Sequence, residues 1–312
     1  MRIIMKNIFI VNKASRTGRA ADVWDELEAY LKSENIEYEA HFTAGANDAT
    51  EFAKAATSSG QKVALFVMGG DGTLNEALNG IVDFENTLYT PLPSGSANDF
   101  VSGIGLEGDA LDILKRALAT EEYKIFDMGM VIYDGGQRLF GVSSGIGVDA
   151  YVCLQALTSK LKKFLNKFGL GSATYGLLTV GDIFTMPFSD AHITRWFKDE
   201  VEEKDIKGTI FAAAMNCRAE GGGIPMAPNA KPDSGYLTAF YAHDISRLKC
   251  LTLLPVLVAG KHEGKGGFDL LNFDKIRIQM KDKMCVHVDG EHVGFFEDIT
   301  FECIPHALKI RG

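Results

Sequence analysis

Gly69-Gly70-Asp71-Gly72-Thr73 stands directly after an apolar run at 63–68 and directly before a helical pattern at 74–81. Glycines let a backbone approach a phosphate closely, and the free N–H groups at a helix start favour an anion. Asp71 cannot itself bind phosphate. The chemistry it offers is a carboxylate for a metal ion, or for metal-bound waters, that bridges a nucleotide. A turn followed by a capping box, with Thr73 as N-cap and Glu76 at N3, explains the same residues and is compatible with that chemistry.

Three further segments carry similar chemistry. Leu92-Pro93-Ser94-Gly95-Ser96-Ala97-Asn98-Asp99 is again a strand end running into a helix, with Ser96 placed to cap it and Asp99 at its positive end. Asp127 lies in Phe126-Asp127-Met128-Gly129, where the texture of the chain changes. Asp289 and Glu291 flank Gly290 in Val288-Asp289-Gly290-Glu291, and Asp-Gly suits a type I′ hairpin turn. Either acid can accept a proton if the site tunes it.

Two other clusters point to less. Gly145-Ile146-Gly147-Val148-Asp149-Ala150 matches GxGxxA, but no acid follows about 20 residues later, where a ribose partner belongs. It is not expected to hold a dinucleotide. His287, Asp289, Glu291 and His292 would align as metal ligands only without the Asp-Gly turn, so no transition-metal site is expected there.

The elements that must position these residues change character along the chain. Apolar, β-rich runs at 8–11, 38–42, 63–68, 88–92 and 125–131 alternate with helical patterns at 20–31, 48–56, 74–81, 97–104 and 109–118. That alternation predicts an α/β domain with a doubly wound parallel sheet covered on both faces, whose ligands bind beyond the carboxyl ends of the strands. After Met128 strand-like runs dominate, at 131–133, 209–215, 236–242, 275–280, 284–288 and 298–304, with one helical, lysine-bearing stretch at 150–184. A second, mainly antiparallel β-rich domain is expected at 129–298, against a first domain at 1–128.

The 312 residues suffice for two cores, and the formal net charge of −9 argues against a surface built to coat nucleic acid. Five widely spaced cysteines (Cys153, Cys217, Cys250, Cys285 and Cys303) fit reduced thiols in a cytoplasmic protein. No run approaches the roughly 18 apolar residues of a membrane span, and 251–260, the best candidate, is short and contains Pro255.

Residues 69–73 followed by Asn75-Glu76, then 91–100, 140–150 and Val288-Asp289-Gly290-Glu291, resemble in that order the diacylglycerol kinase catalytic-domain family, which is related to sphingosine and ceramide kinases. Gly260-Lys261-His262 fits the same pattern. The resemblance implies an ATP-dependent lipid kinase with a first domain like phosphofructokinase and NAD kinase, to which residues 299–312 return. It implies nucleotide contacts at Asn12, Thr43, Gly69, Gly70, Asp71, Gly72, Thr73, Asn75 and Ser96. Asp71, Asp99 and Asp127 match carboxylates that organise magnesium through water, and Asp289 or Glu291 matches the position of the base. NAD kinase shares the glycine loop but needs a second nucleotide motif that this sequence lacks. A nucleotide-binding regulator without turnover is the other alternative. The expected partners are ATP, a lipid substrate, a membrane surface touched reversibly and no nucleic acid; the resemblance leaves room for a homodimer.

The sequence departs from the family pattern in two places. Asn12-Lys13-Ala14-Ser15 lacks a proline after the asparagine. In Lys231-Pro232-Asp233-Ser234-Gly235-Tyr236, Ser234 replaces an aspartate that, with carbonyls of Lys231 and Tyr236, holds an accessory magnesium in bacterial relatives. That accessory site is expected to be weak. Lys160, Lys162, Lys163 and Lys167 alternate with apolar residues, either as a solvated helix face or as a lip that docks on anionic lipid.

Overall fold

The computed structural model describes residues 5–15, 19–158 and 181–312, the side chains of 156–158 excepted. The lysines at 160, 162, 163 and 167 lie outside the described residues. The chain forms two compact units, Met1–Met128 with Pro305–Gly312, and Gly129–Ile304. The chain returns to the first unit at Pro305, some residues after 299, because the last strand runs unbroken from Glu291 to Ile310.

The first unit is a parallel sheet of β1 (Lys6–Val11), β2 (Glu39–Phe42), β3 (Val63–Gly69) and β4 (Thr87–Pro93), joined at its edge by the end of β14 (Glu291–Ile310). The order is β14-β4-β3-β1-β2. All seven residues of β3 are buried, which requires cover on both faces. Helices α1 (Arg19–Ser33), α2 (Asp48–Thr57), α3 (Asp71–Gly80), α4 (Asp99–Gly103) and α5 (Ala110–Ala119) supply it, α1 packing on α5 and α2 on α3. The inner stripe of α1 is Ala20, Trp24, Leu27 and Leu31, at helical spacing, and Trp24 meets Phe9 of β1 edge to face at 5.6 Å. An Asp109–Asp112 capping box starts α5. At the sheet edge Arg311 N donates to Tyr89 O and Thr90 Oγ1 donates to Arg311 O at 2.7 Å, tying the C-terminal segment to β4.

The second unit is antiparallel. Strands β10 (Phe211–Met215) and β11 (Leu237–Ala242) pair with each other; β7 (Ser143–Gly147) flanks β10 and β12 (Phe268–Phe273) flanks β11. Beyond β7 comes β13 (Lys275–Val288), which also pairs with β14 and with β8 (Ser189–Phe197). Strands β5 (Lys124–Tyr133) and β6 (Gly136–Phe140) form one hairpin, and β8 with β9 (Glu200–Thr209) another. Alternation sorts β10 between two cores: Ala212 and Ala214 join one cluster, while Phe211, Ala213 and Met215 join the other. Helices α6 (Val148–Thr158) and α7 (Arg247–Val258) and a helical stretch at 181–185 complete the described part of the unit. Of the helical stretch expected at 150–184, α6 covers the start, 181–184 is helical as well, and 159–180 lies outside the described residues. The apolar run at 251–260 falls largely within α7, and among the described residues no helix is long and apolar enough to cross a membrane.

Candidate active site

In the first unit the parallel strands bring their carboxyl ends to one edge. Thr43 N donates to Val11 O at 3.0 Å, Asn12 N to Met68 O at 2.9 Å and Ser94 N to Gly69 O at 3.0 Å, so the loops after β1 to β4 are stitched side by side. Asn12 Nδ2 donates to Thr73 Oγ1 at 2.9 Å, and the hydroxyls of Ser15 and Ser94 meet at 2.8 Å. A Cβ on Gly69 would fall 2.4 Å from Thr73 Cβ, and one on Gly95 would fall 2.6 Å from Gly70 Cα. The two glycine motifs therefore touch backbone to backbone.

Helix α3 begins at Asp71, with Gly70 as its N-cap and no side-chain cap. The capping box expected from Thr73 is not formed, because Asn12 engages that hydroxyl and the helix starts three residues earlier. Ser96 is exposed and does not cap α4 either. That place is taken by Asn98, held left-handed at φ 55°, whose Oδ1 accepts from Gly95 N at 3.0 Å. Asp71 Oδ1 accepts from Phe100 N at 3.1 Å. This places the Asp71 carboxylate on the N-terminus of α4, beside Asp99 in that helix's first turn, and so joins the two motifs electrostatically. Asn75 is fully buried, its Oδ1 accepting from Asn79 Nδ2. Asp127 is also buried and accepts from His306 N at 2.8 Å.

In the second unit Asp289 (φ 46°) and Gly290 (φ 83°) make the left-handed turn between β13 and β14. The Asp289 carboxylate accepts from Gly141 N, Val142 N and Ser143 N, all at 2.9–3.0 Å. Both oxygens thus hold the loop between β6 and β7. The side chain of Glu291, half-buried, makes no hydrogen bond or ion pair among the described residues.

Sequence reasoning set GxGxxA and the histidine cluster aside separately, and so missed what the register makes of them. Gly145 of β7 pairs with His287 of β13, bringing Asp149, Glu220 and His287 within 4.8 Å of one another. No spacing in the sequence links residues 149, 220 and 287; the pairing of β7 with β13 on one side and with β10 on the other does.

The segment 6–131 matches the diacylglycerol kinase catalytic domain, and 142–312 matches the YegS C-terminal NAD kinase beta sandwich-like domain. The chain belongs to the diacylglycerol kinase catalytic-domain family. It is 27% identical to a Bacillus subtilis protein named lipid kinase YtlR, over 97% of this chain and 98% of that one. It is 24% identical to a diacylglycerol kinase of Mycobacterium tuberculosis, over 96% and 93%. Among solved structures, a diacylglycerol kinase from Bacillus anthracis shares the fold at TM-score 0.69, with 19% identity over 98% and 96% of the two chains. An Archaeoglobus fulgidus NAD kinase in complex with ATP shares it more loosely, at TM-score 0.54 and 13% identity over 98% and 93%. Like its family, the chain is a lipid kinase, a phosphotransferase.

In this lipid kinase a serine hydroxyl, and not a carboxylate, faces the two carbonyls of the turn at 231–236. Ser234 Oγ lies 2.9 Å from both Lys231 O and Tyr236 O, the two carbonyls the accessory magnesium would use. A hydroxyl that donates into the space between them leaves no anionic oxygen for a hard cation. These residues do not fit that ion. The Gly260-Lys261-His262 segment has a packing role in this kinase: His262 is fully buried, its Nε2 donates to Met226 O at 2.9 Å, and its ring lies 4.7 Å from that of Phe240. Burial pushes its pKa below the ordinary imidazole value.

Proposed function

We propose that this lipid kinase transfers the γ-phosphoryl group of ATP to the hydroxyl of a diacylglycerol-like lipid, with magnesium as the metal. The observation that carries this reading is the backbone contact of Gly70 with Gly95, with Asp71 on the α4 N-terminus beside it. Two loops stripped of side chains at a parallel-sheet edge suit a polyphosphate, which needs backbone N–H groups and close approach. The nucleotide contacts are Asn12, Thr43, Gly69, Gly70, Gly72, Thr73, Asn75 and Ser96. Asp71, Asp99 and Asp127 are the oxygen donors that would hold magnesium or its waters, a set of hard ligands appropriate to that ion. When bound, magnesium offsets the charge that gathers on the phosphate oxygens.

In the transfer the lipid oxygen forms a bond to the γ-phosphorus, the bond to the β-phosphate oxygen breaks, and the lipid hydroxyl loses its proton. Asp289, saturated by three backbone N–H groups, holds the turn, and Glu291 takes the proton. The first unit serves as the nucleotide domain, and the second as the lipid domain. The deciding experiment measures ATP consumption with dispersed diacylglycerol and with NAD, for the native chain and for Glu291→Gln and Asp289→Asn. Lipid-dependent turnover is expected, with Glu291→Gln slowed about 10²-fold or more at unchanged ATP affinity. Asp289→Asn is expected to lose turnover and melting temperature together. Consumption driven by NAD alone would overturn the assignment.

A further inference from the structure

The cluster of Asp149, Glu220 and His287 has no part in the transfer as written, yet it grips the turn that carries the acid pair. His287 is 1% exposed, and its two ring nitrogens face different groups. The backbone N–H of Gly290 donates to Nδ1 at 3.2 Å. A backbone N–H can only donate, so in the neutral ring Nδ1 keeps its lone pair and the proton stands on Nε2. Nε2 faces Asp149 Oδ2 at 3.4 Å, and both atoms are buried with no hydrogen-bond partner among the described residues. A divalent cation among the three residues would need the Nε2 lone pair, which this tautomer lacks. The cluster is therefore an oriented ring beside a carboxylate and not a metal centre.

Gly145 makes the room. A Cβ there would fall 2.0 Å from Asp149 Oδ2 and 3.0 Å from His287 Nε2. The GxGxxA motif thus serves this approach in place of a dinucleotide. Glu220 accepts from the Ser143 hydroxyl, and Ser143 N donates to Asp289 Oδ1. Both arms of the cluster end on the same turn, one at Gly290 and one at Asp289.

We propose that His287 is a positioning residue: oriented by Asp149 at Nε2, it fixes the Asp289-Gly290-Glu291 turn through Nδ1 and so sets where Glu291 presents its carboxylate. This rests on the reading of Glu291 as the proton acceptor. Burial draws the ring's pKa down, but the carboxylates of Asp149 on α6, Glu220 after β10 and Asp289 in the turn more than offset it. The ring therefore protonates above the ordinary imidazole value. His292 on β14 is its cross-strand neighbour. Protonation places a second N–H opposite that of Gly290, and two donors cannot bond, so acid loosens the turn.

Two substitutions separate the two contacts. In His287→Asn the amide oxygen takes the place of Nδ1 and accepts from Gly290; in His287→Gln the amide nitrogen reaches the Nε2 place and leaves Gly290 unserved. His287→Gln is expected to lose kcat at least tenfold with KM for ATP unchanged. His287→Asn is expected to keep kcat within about threefold and to lack the acid limb of the native kcat–pH profile. Histidine-selective nitrogen-15 NMR at alkaline pH is expected to show the Nε2-protonated tautomer. Equal activity in the two variants, or an Nδ1-protonated ring, overturns the proposal. If Glu291→Gln keeps full turnover, the assigned base is wrong and the hold is read from Gly290 amide exchange. Slow exchange in the native chain and His287→Asn with fast exchange in His287→Gln supports it, and equal exchange in all three overturns it.

Discussion

A Cβ on Gly95 would stand 2.6 Å from the Cα of Gly70, well inside contact distance, so the two phosphate-type loops are locked together by the absence of side chains. Gly95→Ala must push them apart, and small displacements of a positioning loop cost about 10²-fold in rate. The expected result is a loss of that order in kcat/KM with weaker ATP binding and a modest fall in melting temperature. Calorimetric ATP titration beside a turnover assay checks it.

Asp71→Asn keeps an oxygen for the Phe100 N–H but removes the charge that would hold magnesium. Turnover is expected to vanish while the melting temperature stays near that of the native chain. Retention of more than about a tenth of native turnover, a change under roughly 1.4 kcal/mol, would argue that no metal had been lost.

Ser234 closes its turn with its hydroxyl and its backbone N–H, with no carboxylate between the two carbonyls. The melting temperature is therefore expected to be the same with magnesium and with a chelator in the absence of nucleotide. Ser234→Asp is expected to make it rise with added magnesium. A magnesium-dependent rise in the native chain that Ser234→Ala abolishes would show that this turn binds the ion after all.

His262 is buried, and that burial lowers its pKa against a smaller opposing pull from the Glu263 carboxylate. The folded state prefers the neutral ring. Its contribution to stability is therefore complete above the unfolded value of about 6.5 and is lost as pH falls from there towards the folded value. His262→Gln keeps a donor for Met226 O but cannot titrate. Urea midpoints measured between about pH 7.5 and 5.5 (roughly one unit either side of the imidazole value) are expected to fall less steeply in this variant. Parallel slopes would remove His262 from the account.

Much of the α/β unit was legible because β3 is apolar throughout and the helices between strands show plain 3.6-residue stripes, such as Ala20, Trp24, Leu27 and Leu31. The Asp-Gly hairpin was equally plain, since left-handed φ at both positions demands those residue types. Helix starts were misplaced where a neighbour overrode local preference: Thr73 would cap a helix if Asn12 did not occupy its hydroxyl. Helix α7 was hidden because its residues are apolar around most of the circumference, with Leu248 and Val258 exposed, so periodicity gave no stripe to follow. The His287 cluster depends on pairing between strands more than a hundred residues apart, and no local pattern encodes such a register.

The unbroken run of β14 from Glu291 to Ile310 has a consequence for the order in which the protein can be made. On the ribosome, residues 6–93 emerge first and can assemble four parallel strands, but the outer edge of β4 stays bare until residues 305–312 have been synthesised. At about 5–20 residues per second, the more than two hundred intervening residues leave that edge open for roughly ten seconds or longer. An unpaired edge is a template for pairing with another chain. Nascent chains stalled or truncated before Pro305 would therefore carry an adhesive first unit, whereas complete chains seal it with the same strand that begins at Glu291.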